Sequence, residues 1–327
     1  VNSSRVTGAP AVSAEHAIVV EGVEKSFGEV KALRGIGFQV PKGSVLGVLG
    51  PNGAGKTTTV SVLSTLTKPD AGRAVVAGYD VVRQAAEVRA SIMLTGQYAA
   101  LDEMLSGREN LVLFGRLMGL RRKEARARAD ELLDRFELTD SADRRVGQYS
   151  GGMRRRIDIA CGLVRTPQVV FLDEPTTGLD PVSRQSLWGL VRSLKQQGVT
   201  ILLTTQYLEE ADVLSDNIIV VDRGTVIAEG TADQLKARTG ASYCEVVPAD
   251  PGDLSAVVTA LTGLGEITVA ESADRVSLPA PDGAATLGEA LRRITDADIE
   301  LIDIALRRPS LDEVFIELTK PVGEAVE

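Results

Sequence analysis

Histidine is nearly missing from this chain: among 327 residues only His16 is one. It lies in a stretch rich in Ser, Ala, Pro and Thr, residues 1–16, which reads as a disordered tail. Chemistry that relies on an imidazole titrating near neutral pH therefore has almost nothing to draw on. Aromatic residues are scarce too, at 4%, so aliphatic side chains must fill the core. The two cysteines, Cys161 and Cys244, form no CxxC pair. Cys161 falls in the apolar helical pattern Ile157-Asp-Ile-Ala-Cys-Gly-Leu-Val164 and reads as a buried free thiol; nothing points to an oxidising compartment. No apolar run approaches the length of a membrane span, and the first residues show no charged-then-apolar signal pattern. Any membrane role is thus expected to run through another chain, without direct insertion of this one. A net charge of −9 argues against nucleic acid as a partner. Of the basic runs Arg121-Arg-Lys123 and Arg154-Arg-Arg156, the first reads as a solvated helix face.

What the chain does have is Gly50-Pro-Asn-Gly-Ala-Gly-Lys56-Thr57, which fits G-x-x-x-x-G-K-[ST] without a mismatch. The apolar run Ser44-Val-Leu-Gly-Val-Leu49 leads into it, and a helical pattern follows through Thr57 to about Leu66. An accidental glycine-rich turn lacks that strand–loop–helix context. In such a loop, glycines let several backbone N–H groups point at one phosphate chain. Lys56 adds a charge near the β- and γ-phosphates, Thr57 offers a hydroxyl to Mg²⁺, and the helix adds its positive end. The nucleotide-binding candidates here are Gly50, Asn52, Gly53, Ala54, Gly55, Lys56, Thr57 and Thr58.

The length suggests two domains. From Ala17 to about Gly50 short apolar runs alternate with turns, a β-rich pattern. Two short strands are expected near Arg73–Ala77 and Ser91–Leu94. Helices dominate from about 100 to 165, opened by the capping box Ser106-Gly-Arg-Glu109 and continued by a charged helix over Lys123–Phe136. Val169–Leu172, Thr200–Thr204 and Asn217–Val221 read as strands of a central parallel sheet. From about Ser242 the pattern resets to β-α-β-β-α-β, a ferredoxin-like unit over about 240–320, with 321–327 as a second tail. Another capping box, Ser310-Leu-Asp-Glu313, opens a helix with Leu311, Val314, Phe315 and Leu318 on one face, a stripe for domain packing or a partner surface.

Val169-Val-Phe-Leu-Asp173-Glu174 is an apolar strand ending in two carboxylates. Two acids can simply end a strand at the surface. Beside a phosphate loop, Asp173 suits Mg²⁺ and Glu174 suits polarising an attacking water. Tyr149-Ser-Gly-Gly-Met153 opens a helix, so Ser150, Gly151 and Gly152 form a second anion site. Two anion sites and one phosphate loop point to two copies sharing nucleotides.

In their order, Gly50–Thr57, Gln97, Ser150-Gly-Gly152, Asp173-Glu174 and Gly178-Leu-Asp180 resemble an ABC transporter ATPase subunit over residues 17–238. The resemblance implies an α/β P-loop ABC ATPase domain with a mixed sheet core and a helical insert, followed by the small α+β unit. By the same resemblance Phe27 stacks on adenine, although stacking reads bases poorly and leaves GTP open. Gln97 approaches Mg²⁺ and water and senses the membrane partner, and Asp180 crosses a head-to-tail homodimer interface. Two positions depart from the family's pattern. Tyr149 and Met153 replace Leu and Gln at the ends of the signature, and Gln206 stands where a switch histidine is usual. Gln206 can donate to a phosphate oxygen but cannot become cationic; the alternative is a passive loop residue.

Tyr149–Arg156, Thr204–Glu210 and Arg307–Phe315 narrow the resemblance to the daunorubicin/doxorubicin-resistance type, along Ala17–Thr319, and within it to members that export complex polyketide lipids such as phthiocerol dimycocerosates. That implies ATP and Mg²⁺ as cofactors, catalysis by Glu174, Gln206 and Lys56, and a metal site of Thr57, Gln97 and Asp173. It also implies separate permease subunits docked at the helical insert and the Gln97 region, and a peripheral place on the cytoplasmic face of the membrane. A soluble regulatory ATPase uncoupled from transport is the alternative. A coiled-coil repair ATPase would need long heptad inserts, a translation-type relative a second phosphate loop, and a GTPase an Asn-Lys-x-Asp reader; this chain has none of them.

Overall fold

Strands that are apolar at every position must be covered on both faces, and the first unit is arranged to do so. The computed structural model describes residues 15–96, 101–238, 242–270 and 272–319. The described residues up to Thr231 form one compact unit and those from Ala232 a second.

In the first unit, β1 (His16–Phe27), β2 (Val30–Pro41) and β3 (Val45–Leu49) precede α1 (Lys56–Leu63). Then come β4 (Ala71–Val76), β5 (Tyr79–Asp80), α2 (Ala85–Ser91) and β6 (Ile92–Thr95). The helical insert carries α3 (Gly107–Leu117), α4 (Arg122–Arg135) and α5 (Gly151–Gly162). After it run β7 (Val169–Asp173), α6 (Pro181–Gln196), β8 (Thr200–Thr205), α7 (Leu208–Leu214), β9 (Asn217–Asp222) and β10 (Thr225–Gly230).

Six strands form the central sheet in the order β10-β9-β3-β8-β7-β6, parallel except for the antiparallel edge strand β10. Alternate residues of β7 and β8 enter two different cores. Val170, Leu172, Ile201 and Leu203 pack with the helical insert. Val169, Phe171 and Leu202 pack on the other face with the antiparallel sheet β2-β1-β4-β5. The period-2 geometry of a strand explains why a continuous apolar run was needed. All five carboxyl ends of the parallel strands therefore point the same way, which is where open α/β sheets hold their ligands.

His16, placed in a tail by its sequence, instead opens β1 opposite Pro41, and the Lys42 N–H donates to the Glu15 carbonyl at 3.0 Å. Strand pairing satisfies backbone groups that composition alone does not register. Residues 1–14 lie outside the described residues. The Ser106 capping box forms as expected, with Ser106 Oγ accepting from Glu109 N at 3.2 Å and Glu109 Oε2 accepting from Ser106 N at 2.8 Å. Ser91, read as strand, ends α2 instead; its hydroxyl donates to the Glu87 carbonyl at 2.9 Å, one turn back. α1 stops at Leu63 rather than near Leu66, since Thr65 turns to a φ of 67°.

The second unit runs α8 (Ala232–Lys236), β11 (Tyr243–Pro248), α9 (Leu254–Leu261), β12 (Thr268–Val269), β13 (Val276–Pro279), α10 (Ala284–Asp296), β14 (Leu301–Arg307) and α11 (Leu311–Thr319). Its antiparallel sheet has the order β12-β13-β11-β14, the ferredoxin-like arrangement. Cys244, Val246, Val257, Val276 and Ile294 build its core. Leu311 and Val314 on α11 are buried and Phe315 is half-buried; the side chain of Leu318 lies outside the described residues.

Cys161 and Cys244 are both buried, and burial pushes both thiols up from their ordinary range, Cys161 furthest. A thiol-reactive chromogen should therefore label neither cysteine rapidly in the folded chain and both after denaturation. A fast-reacting thiol in the native protein would contradict this placement.

Candidate functional site

The loop after β3 wraps the first turn of α1, and its shape depends on a missing side chain. A Cβ on Gly50 would lie 2.3 Å from the Val221 carbonyl oxygen, so only glycine fits against β9. Lys56 opens α1 and is almost wholly buried. Its ammonium donates to the Gly50 and Pro51 carbonyls at 2.8 and 3.2 Å and lies 3.3 Å from Glu174 Oε1.

Beside it, three hydroxyl and carboxyl groups interlock. Thr57 Oγ1 donates to Asp173 Oδ1 at 3.3 Å, and Thr204 Oγ1 donates to the same oxygen at 2.5 Å. The Glu174 N–H donates to both the carbonyl and the hydroxyl of Thr204, at 3.1 and 3.0 Å. Glu174 sits at a φ of 47°, a left-handed conformation unusual for a residue with a Cβ. The two bonds its N–H donates to Thr204 hold it there. Thr57 and Asp173 present hard oxygen donors side by side, a set that fits Mg²⁺ bound largely through phosphate and water.

Asn52, Gly53, Lys56, Thr57, Thr58 and Glu174 line an open cavity of about 550 Å³. Val30, Lys31, Arg34 and Arg223 line it too. Four cations against one carboxylate make an anion-attracting wall. Lys31, Arg34 and Arg223 were not found from the sequence, because nothing local marks a surface cation as facing the loop. Phe27, 52% exposed, ends β1 and pairs across a tight turn with Val30 on the cavity wall. The Lys25 ammonium lies 5.5 Å from its ring centre. Gln206 follows β8 directly and is exposed. Gln97 lies outside the described residues.

Ser150 caps α5, accepting from Met153 N at 3.2 Å. Within one chain it does not join the cavity: neither Ser150 nor Gly151 nor Gly152 lines it. Two contacts fix this helix start. The Tyr149 ring is buried and its hydroxyl donates to the Ser141 carbonyl at 2.7 Å. A Cβ on Gly152 would lie 2.3 Å from Ser183 Oγ. Ser183 in turn donates through its hydroxyl and its N–H to Asp180, the cap of α6, at 2.6 and 2.9 Å. Those two bonds hold the Asp180 carboxyl below its usual range.

Two further charged groups, one buried and one largely so, escaped sequence reasoning. Glu210 on α7 is fully buried, accepting from Thr176 Oγ1 and Trp188 Nε1, each at 3.2 Å. Burial pushes its carboxyl up, against the pull of those donors and of Thr205. Arg155, inside the basic run after the signature, points inward rather than to solvent.

A phosphate loop on a parallel sheet, a paired hydroxyl–carboxylate set at the next strand ends, and a separate helix start for a second anion define an ATP-binding cassette. Residues 33–177 match the ABC transporter family, and residues 230–319 match the family described as "ATP-binding protein DrrA1-3-like, C-terminal domain". The chain is 60% identical over 316 residues to the doxorubicin resistance ATP-binding protein DrrA of Mycobacterium tuberculosis, covering 95% of this chain and 96% of that one. It is 58% identical to the daunorubicin resistance ATP-binding protein DrrA3 of Streptomyces coeruleorubidus, covering 94% and 96%. Among solved structures, it is similar to a dimeric post-hydrolysis cassette bound to ADP and Pi, with a TM-score of 0.60 and 26% identity, covering 65% of this chain and 98% of that one. The chain belongs to the ABC transporter ATP-binding proteins of the DrrA type, and it is an ATPase.

Gly50→Ala should destabilise the first unit by about 1–3 kcal/mol and weaken binding of a fluorescent ATP analogue, because the new methyl meets the Val221 carbonyl. Gly151→Ala, where a Cβ has open space, is the control and should leave unfolding by denaturant unchanged.

Proposed function

We propose that this chain hydrolyses ATP as a head-to-tail homodimer and so drives a separate membrane permease that exports hydrophobic drugs or complex lipids. The observation that carries the hydrolytic reading is the Thr204 hydroxyl, which binds Asp173 and the Glu174 backbone together opposite Lys56. Residues 17–238 act as the nucleotide-binding domain, with the helical part over about 100–165, and 240–320 as an accessory domain.

In this reading Gly50, Asn52, Gly53, Ala54, Gly55 and Thr58 shape the phosphate cradle. Lys56 and Gln206 hold the γ-phosphate, the latter through a neutral amide. Thr57, Asp173 and Gln97 hold Mg²⁺, which neutralises phosphate charge when bound. Glu174 polarises the attacking water, and Phe27 stacks on the base. Ser150, Gly151 and Gly152 of a second copy close the site from the γ-phosphate side, with Asp180 at the interface. The separation of Ser150 from the cavity within one chain supports this closure, as does the dimeric state of the solved cassette. Among the described residues no helix is long and apolar enough to cross a membrane, in keeping with peripheral attachment at the cytoplasmic face through the permease. The drugs named for the relatives support an apolar cargo; the resemblance to lipid exporters extends it to polyketide lipids.

Glu174→Gln should lower kcat for ATP hydrolysis by about 10²–10⁴-fold while ATP still binds. An unchanged rate would sink the catalytic reading. With glutamine at 206, the rate should show no imidazole inflection near about pH 6.5, and Gln206→His should introduce one. Co-purification with a small permease from membranes tests the transport reading; consistent failure to associate would favour the uncoupled ATPase.

A further inference from the structure

We propose that Arg155 is a positioning residue that couples the two ATP half-sites carried by one protomer, by locking the Ser150-capped helix α5 to the turn that carries Glu174. The inference rests on the head-to-tail homodimer proposed above. In that dimer the Ser150 end of α5 serves one nucleotide, while Glu174 of the same chain serves the other.

Arg155 lies one turn into α5 and is 11% exposed. Its Nε donates to the Pro175 carbonyl at 3.1 Å, the residue directly after Glu174. One terminal nitrogen donates to the Gly96 carbonyl at 2.7 Å, and the other to Thr95 Oγ1 at 3.3 Å, both at the carboxyl end of β6. Asp158 Oδ2, one turn along α5, lies 3.5 Å from the guanidinium. A single rigid fork thus joins the helical insert, the edge of the central sheet and the turn after the paired acids. Only a planar group with several fixed donors satisfies acceptors on three elements at once; an ammonium on the same stem reaches one or two. Its charge has a second use. Burial holds the Arg155 pKa below its usual value against the pull of the buried carboxylates of Asp158, Asp173 and Glu210; a guanidinium stays cationic even so.

This linkage is stiff where the other connection is short. Gly152, Ser183 and Asp180 tie the tip of α5 to α6, whereas Arg155 ties its first turn to the sheet. A shift of α5 on closing around a γ-phosphate therefore moves Pro175, and with it Glu174, which is already held at an unfavourable φ.

The test compares the wild-type protein with Arg155→Lys, and with Thr95→Val, which removes one acceptor and leaves the guanidinium buried and paired. ATPase rate against ATP concentration gives kcat and the Hill coefficient; a fluorescent ATP analogue gives affinity; thermal unfolding reports stability. The expected result is a wild-type Hill coefficient above one. Arg155→Lys should bring it to one with kcat lowered about tenfold or more and nucleotide affinity nearly unchanged. Thr95→Val should move the same way by less. Wild-type kcat and cooperativity in Arg155→Lys, a non-cooperative wild type, or a loss of rate that only tracks unfolding would each overturn the proposal. Should Arg155→Lys fail to fold, Thr95→Val decides by the same readings. Sizing of Glu174→Gln with ATP separates the underlying reading: absence of a dimer there refutes the homodimer itself, while a dimer with unaltered Arg155→Lys kinetics refutes the coupling alone.

Discussion

One hydroxyl organises the candidate site. Thr204 lies near the end of a buried strand, and its Oγ1 donates a hydrogen bond to Asp173 while accepting one from the N–H of Glu174. That bond exists only because β7 and β8 run parallel and in register, with Asp173 beside Thr204. The parallel sheet in turn requires apolar cover on both faces, which the helical insert and the antiparallel sheet provide. Loss of cover on either face would expose apolar strand residues and destabilise the sheet that places the two acids.

The first unit also keeps its two anion-binding ends apart. The phosphate loop stands at the end of β3, and the Ser150 end of α5 stands in the helical insert, fixed by Tyr149 below and by Ser183 beside it. The substitution of Tyr for the family's usual Leu at 149 is thus accounted for. The phenol adds a hydrogen bond to the Ser141 carbonyl that an aliphatic side chain lacks, while the ring still fills the core.

Much of this could be read from the chain because phosphate binding is a local affair. Gly50–Thr57 and Asp173-Glu174 are contiguous strings whose strand contexts are visible as apolar runs. The alternation of the second unit showed its order for the same reason. Thr204, Glu210 and Arg155 were invisible. A threonine at a strand end, an acid on an amphipathic helix and an arginine among arginines carry no signal until the fold places partners around them. Arg155 was masked further by its neighbours, since Arg154 and Arg156 form ion pairs with exposed Glu103 and Glu137 as a surface run should. The placement of His16 in a tail failed because composition says nothing of the partner strand waiting at Pro41.

Glu174 occupies a backbone conformation that glycine or asparagine adopts with less strain, at a cost for other residues on the order of 1–2 kcal/mol. Backbone strain and hydrolysis therefore pull this position in opposite directions. In a lineage that had ceased to need turnover, glycine or asparagine at 174 would relieve that strain but would also take the carboxylate away from buried Lys56. A glutamate kept there across descendants would be a mark of continued selection for that carboxylate, readable without any assay.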